Sequence, residues 1–263
     1  MSVYGTAALA TALGLLFGVF FGILACFEIG YRFGRRDSRK IHELAYVGTG
    51  NIEAALFALL GLLLGFSFAG ATSRLESRHE LIVREANAIG TAYLRLDLLP
   101  ITEQPRIRHL FRDYLDARLQ AYEKFAHEEA AELEFARASE LQGQIWSEAI
   151  TASRPDQSQN SARLLLPALG EMMDAATSRT IAQKIHLPSL VFYLLICIAL
   201  LSGLLAGYAM SKRQTRSWLH VLIYGAIISI TIYAIFDFDN PRFGLIKVDT
   251  ADTALIQLRD SIR

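Results

Sequence analysis

Proline is scarce in this chain, six residues in 263, and cysteine scarcer still at two. Few prolines leave helices uninterrupted: none falls between Asn51 and Leu99, where an unbroken helix would be ~73 Å long, over twice the thickness of a membrane. Cys26 and Cys197 both lie inside apolar runs, and their number and spacing indicate neither a structural disulfide nor a zinc site. An excess of charge of either sign is also missing, 26 Lys and Arg facing 26 Asp and Glu, so nothing favours nucleic acid as a partner. Alternating strand patterns are absent, and so are complete catalytic motifs. His79-Glu80 and His127-Glu128 lack the second histidine of a zinc-protease helix. Gly48-Thr49-Gly50 has Glu53 where a dinucleotide fingerprint needs its last glycine, and Gly65-Phe66-Ser67-Phe68-Ala69 is a nucleophile elbow without its final glycine. The sequence therefore predicts no enzyme, no cofactor and no identifiable metal.

What is abundant is segregated apolar residue. Hydrophobic residues make up 52% of the chain, and the 20% that are charged avoid four windows, Ala7–Phe27, Ala54–Ala71, Leu187–Met210 and Trp218–Phe236. Each window crosses or nearly crosses a hydrocarbon core of ~30 Å. The first has no Lys or Arg before it, as a cleaved signal would, so Ile23-Leu24-Ala25-Cys26 is read as part of a retained helix and not as a lipoprotein site. The expected fold is all-α: four transmembrane helices with a long helical soluble insertion between the second and third. Its divisions are residues 1–74 (two membrane helices and a basic loop), 75–185 (soluble), 186–239 (two membrane helices) and 240–263 (a tail). Membrane lipid is the implied surroundings.

Within the insertion, Pro105 suits the first turn of a helix along which Ile107, Phe111, Leu115, Leu119, Tyr122 and Phe125 recur at helical spacing. Ser153–Asn160 is a polar loop, and Leu164–Lys184 is a further helix bent or restarted at Pro167. Gly14, Gly18 and Gly22, Gly61 and Gly65, and Gly203 and Gly207 repeat every four residues, a spacing that lets helix backbones approach closely. Glu53 is expected to pair with Arg32 or Arg35.

Two sets of residues stand out as functional candidates. Along the second membrane helix, Ala55, Ala58, Leu62, Phe66, Gly70, Ser73, Ser77, Glu80 and Arg84 form one stripe, continued by Ala88, Thr91 and Arg95. Small at the outset, apolar at Leu62 and Phe66, then small and polar, the stripe suits a pore wall with a dewetting constriction; it equally suits packing against neighbouring helices. After the fourth window, Asp237 and Asp239 are placed either to bridge Arg74 and Arg78 or to hold a cation.

Leu64-Gly65-Phe66 followed by Ser73-Arg74-Leu75-Glu76-Ser77-Arg78-His79 resembles the bestrophin channels. Glu28–Arg36, Glu85–Arg95 and Asp239-Asn240-Pro241-Arg242-Phe243-Gly244 are similar, more specifically, to a bestrophin-like family of bacterial membrane proteins. The resemblance implies a homo-oligomeric, pentameric ion channel whose hydrophobic neck is lined at Phe66, Leu62 and Ala58, with ions as its cargo. Ala58 departs from the bulky residues of that pattern, and the family's acidic calcium clasp is matched weakly, by Asp237 and Asp239. A membrane-anchored helical scaffold or sensor with no conductance is the competing class. The two short loops hold eight Lys and Arg, which the positive-inside rule would put in the cytoplasm. The resemblance implies the reverse, a bacterial inner-membrane protein with its inserted domain and both termini in the cytoplasm, and that orientation is the one followed.

Overall fold

A computed structural model describes residues 3–37, 49–124, 127–154, 159–211, 217–240 and 249–262. Among these every regular element is helical, and four helices are long and apolar enough to cross a membrane. Most of the basic loop after Asp37, Phe125, the centre of the 153–160 loop, Lys212, Arg213 and Arg216, and the Pro241-Arg242-Phe243-Gly244 motif lie outside the described residues.

The chain divides into two compact units, Met1–Leu75 with His186–Ile246, and Glu76–Ile185 with Lys247–Arg263. The first, the membrane unit, contains α1 (Val3–Asp37), the opening part of α2 (Thr49–Leu94), α6 (Ser189–Met210) and α7 (Trp218–Asp239). Its core joins Val19 and Ile23 of α1, Leu60, Leu64 and Ala71 of α2, Leu195, Ile198 and Ala199 of α6, and Ile232 and Ile235 of α7. α1 and α6 come closest, because glycine faces backbone in both directions. A Cβ on Gly30 would collide with the Leu204 carbonyl, one on Gly207 with the Phe27 carbonyl, and one on Gly203 would lie 3.0 Å from the Ile23 carbonyl oxygen. The four-residue glycine spacing therefore works as expected at Gly203 and Gly207, and the same close approach extends to Gly30 and Gly34. It does not hold at Gly14, Gly18, Gly61 or Gly65, whose added Cβ atoms would meet nothing within 4 Å of their own chain.

The second unit holds the rest of α2, a 3₁₀ turn at Arg95–Leu98, α3 (Gln104–Glu123), α4 (Glu128–Ala152), α5 (Gln159–Lys184) and α8 (Asp249–Ser261). α2 runs unbroken for 46 residues and tightens into the 3₁₀ turn just before Pro100, as expected from a helix end next to proline. Pro105 sits in the first turn of α3, where its missing N–H costs nothing. Pro167 lies inside α5. The spacing of apolar residues does not separate α3 from α4, yet the chain leaves the helix at Lys124. His127, with φ −115° and ψ 88°, turns it back. That reversal lays Ala138, Leu141 and Ile145 of α4 in one core with Ile107, Phe111, Tyr114 and Leu115 of α3. The segment expected as a tail contains α8, whose Leu255 and Ile262 join the same core while Arg259 Nε donates to Asp116 Oδ1 at 2.9 Å.

Candidate functional site

In the membrane unit α2 is two-faced. Leu60 and Leu64 are 2% and 7% exposed, with Ser67 and Ala71 buried beside them, whereas Leu62 and Phe66 are 54% and 69% exposed. Ala55, Ala58 and Ser73 are exposed as well or nearly so, and Gly70 is half-buried against its own helix neighbour Arg74. At 100° per residue Ala58 lies roughly 80° round from Phe66, and Leu59, exposed, lies closer to the centre of the stripe. Many exposed positions on this part of α2 are small: Ala54, Ala55, Ala58, Gly61, Gly65 and Ala69. Small residues gain little from lipid and let another helix come near.

In the second unit the same helix keeps Ser77, Glu80 and Arg84 exposed and turns Arg78, Ile82, Glu85 and Ile89 inward. Thr91 is exposed and Ala88 half-buried. Arg95 donates from Nη1 to the Leu164 carbonyl at 2.6 Å, so its guanidinium serves the α5 backbone. Phe68 is exposed, its ring 5.3 Å from that of Phe238.

Asp237 and Asp239 are buried at the end of α7. Asp239 accepts from Arg74 Nε at 2.7 Å and from the Leu187 N–H at 2.8 Å, with His186 Nδ1 3.6 Å from the carboxylate. The expected salt bridge thus forms with Arg74, and the same carboxylate satisfies a backbone N–H just ahead of α6. Tyr233 Oη lies 3.5 Å from Asp237 Oδ1. Arg78 donates to the carbonyls of Ala182 and Ile185 at 3.3 and 2.8 Å, closing the end of α5. Among the described residues no group of three or more His, Cys, Asp and Glu could hold a metal ion. Arg32 pairs with Glu28 at 2.7 Å, not with Glu53.

A second polar cluster does not show in the sequence as a motif. Glu85, fully buried, receives Arg118 Nε and Arg179 Nη1, each at 2.7 Å, and Arg179 is 1% exposed. Arg179 lies over the Tyr122 ring at 3.6 Å, and Arg118 Nη2 also donates to the Tyr122 hydroxyl. Burial alone would depress the Arg118 guanidinium, but Tyr122, Glu85 and Tyr114 outweigh it and hold it above its ordinary value. Burial pushes the phenols of Tyr114 and Tyr122 well up, keeping them neutral. The sequence does hold a signal. Glu85 falls in step with the buried Ile82, Ile89 and Leu96, Arg118 with Phe111, Leu115 and Tyr122, and Arg179 with Met172, Ala175 and Ala176, so each is a charge on an apolar stripe.

A family model described as a bestrophin-like domain matches residues 49–253. No curated protein matches the chain. Among solved structures, a point mutant of a bacterial bestrophin homolog from Klebsiella pneumoniae aligns with TM-score 0.71 at 13% identity, covering 95% of this chain and 99% of that one. Another structure of the Klebsiella homolog aligns with TM-score 0.66 at 14% identity over 94% and 98% of the two chains. At such identities these likenesses speak for the fold.

Proposed function

The chain belongs to the bestrophin-like family, a multi-pass membrane protein, and from that premise we propose that it is a homo-oligomeric, pentameric ion channel with α2 of each subunit facing the axis. The observation that supports this most is the two-faced α2: an apolar helix that buries Leu60 and Leu64 in its own chain leaves Leu62 and Phe66 bare beside a run of small residues. In the proposed assembly Leu62 and Phe66 ring a hydrophobic neck, with Ala58 at its edge. Ala55, Gly70 and Ser73 continue the wall on the membrane side, and Ser77, Glu80 and Arg84 beyond it. Water leaves such a ring readily and an ion crossing it sheds part of its hydration, so the ring is the barrier. Glu80 and Arg84 carry opposite charges on one stripe and offset one another in selecting ions. Glu76–Ile185 is soluble and lies on the cytoplasmic side of a bacterial inner membrane, and the Arg74–Asp239 bridge anchors the helix ends of the membrane unit rather than a cation.

Ion flux into liposomes of purified protein tests the proposal. Leu62→Ala with Phe66→Ala widens the ring and should raise flux above wild type. Leu60→Ala with Leu64→Ala should leave flux unchanged in whatever protein folds, and lower stability by about 2–5 kcal/mol per residue. Equal, negligible flux from folded wild type and both variants, across several ions and calcium levels, would overturn the channel and leave a membrane-anchored scaffold or sensor.

A further inference from the structure

Within the membrane unit, α1 and α6 run the same way and finish together. Along their seam Gly203 lies against Ile23, Gly207 against Phe27, and Gly34 against Ser211, the residue after α6. The two helix ends from which the short basic loops depart are therefore neighbours, although the loops are far apart in sequence. Charge at this end is one-sided. Residues 28–53 and 211–218 hold eight Lys and Arg against four acids, Glu28, Asp37, Glu43 and Glu53.

Arg32 spends its Nε on Glu28 at 2.7 Å, but neither Arg35 nor Arg36 has a carboxylate partner among the described residues. Both are exposed. Arg35 sits over the Tyr31 ring, 5.8 Å from its centroid, a contact that holds the cation by one face and leaves its N–H edge for another partner. At 100° per residue Arg36 lies within roughly 60° of Ile29 and Phe33. These two are 46% and 60% exposed. The dipole of α1 favours cations at its C-terminus, yet it supplies only about half a negative charge, short of neutralising two arginines. An outward apolar stripe that ends on an unpaired arginine matches the two parts of a phospholipid, acyl chain and then phosphate, and a guanidinium meets two phosphate oxygens at once.

We propose that this end of the membrane unit is a binding site for anionic phospholipid, its headgroup received by Arg36 with Arg35 beside it, and its chains lying along Ile29 and Phe33. The site depends neither on conductance nor on which leaflet this end occupies. Full-length protein is reconstituted in vesicles of equal phosphatidylglycerol and phosphatidylcholine, then extracted in mild detergent, and the lipid that stays bound is measured by mass spectrometry. Phosphatidylglycerol should be retained over phosphatidylcholine by roughly fivefold or more, the factor expected from one basic residue at a charged surface. Arg35→Gln with Arg36→Gln should cut that preference by roughly threefold or more with an unchanged size-exclusion profile, since both side chains are exposed. Arg106→Gln with Arg137→Gln, exposed positions of the second unit, removes the same charge and should leave the preference as it was. Absence of a preference in the wild type, an equal preference or an equal fall in the two double variants, or selective release of phosphatidylglycerol by inorganic phosphate at constant ionic strength, the mark of a site for a soluble anion, would each overturn the proposal.

Discussion

The membrane unit and the second unit solve the same problem, packing helices, with opposite materials. Between α1 and α6 the contacts are backbone on backbone, through Gly30, Gly203 and Gly207. In the second unit the core is built from Phe111, Tyr114, Leu115, Tyr122 and Ile145, with an ion cluster at its centre. In the proposed arrangement, with the second unit in water, the difference follows from the solvent each is made for. In lipid, removing apolar surface gains nothing, so helices associate by coming close enough for dispersion and small residues decide the contact. In water, area is the driving force and large side chains supply it. A buried carboxylate between two arginines adds directional constraint to that area, at the cost of desolvating three charges.

Glu85→Gln should break the comparison hardest. It keeps the shape of the side chain and removes the negative charge that faces two buried guanidiniums, so the second unit should lose about 3–5 kcal/mol. Denaturant unfolding of the full chain followed by circular dichroism reads that loss. A change below about 1 kcal/mol would mean that water or an anion already balances the arginines. Next comes Gly207→Leu, which drives a side chain into the Phe27 carbonyl and should cost about 1–3 kcal/mol or splay α1 from α6. Its sharpening partner is Gly61→Leu. Nothing of its own chain lies within 4 Å of a Cβ added at Gly61, so the protomer should keep its stability while the oligomer is lost from size-exclusion profiles. Equal behaviour of the two variants would erase the distinction between packing within a subunit and between subunits.

The smallest effect is alkaline. Tyr114 and Tyr122 titrate above their ordinary value of 10.0 when folded, because they are buried, so above pH 10 the unfolded chain sheds protons that the folded chain keeps. Stability from this source is complete below pH 10 and falls as the pH rises beyond it, by on the order of 0.8 kcal/mol per tyrosine at about pH 10.5. Tyr114→Phe should remove its share of that slope in thermal melts across the range.

Features carried by local spacing are legible in the amino-acid sequence: the apolar windows, the unbroken α2, and the helix opened by Pro105. The stripe on α2 is legible as a stripe, though its occupant is not, because periodicity says which residues share a face and not whether lipid, a neighbour or an axis covers it. The same limit explains the glycines. Gly61 and Gly65 carry the spacing of Gly203 and Gly207, yet of these two pairs the latter alone meets backbone of its own chain. Glu85 and its arginines stand 33 and 94 residues apart, so no window contains the cluster, and the apolar stripe on each helix marks its charge as inward without naming the partner. The break between α3 and α4 carries neither proline nor glycine, and the reversal is imposed by the core it closes.

The hold of Arg78 on Ile185, 2.8 Å between residues 107 apart in sequence, bears on how such a chain can be built and rebuilt. A long excursion whose two ends meet is, to the chain on either side, equivalent to a short turn, and the entropy of lengthening a closed loop grows only with the logarithm of its length. Modular architectures with neighbouring termini tolerate grafting and exchange for this reason. Glu76–Ile185 meets that condition at the Arg78 guanidinium, which makes its two borders natural points for cutting or swapping, provided that Lys247–Arg263 of the same unit is exchanged with it.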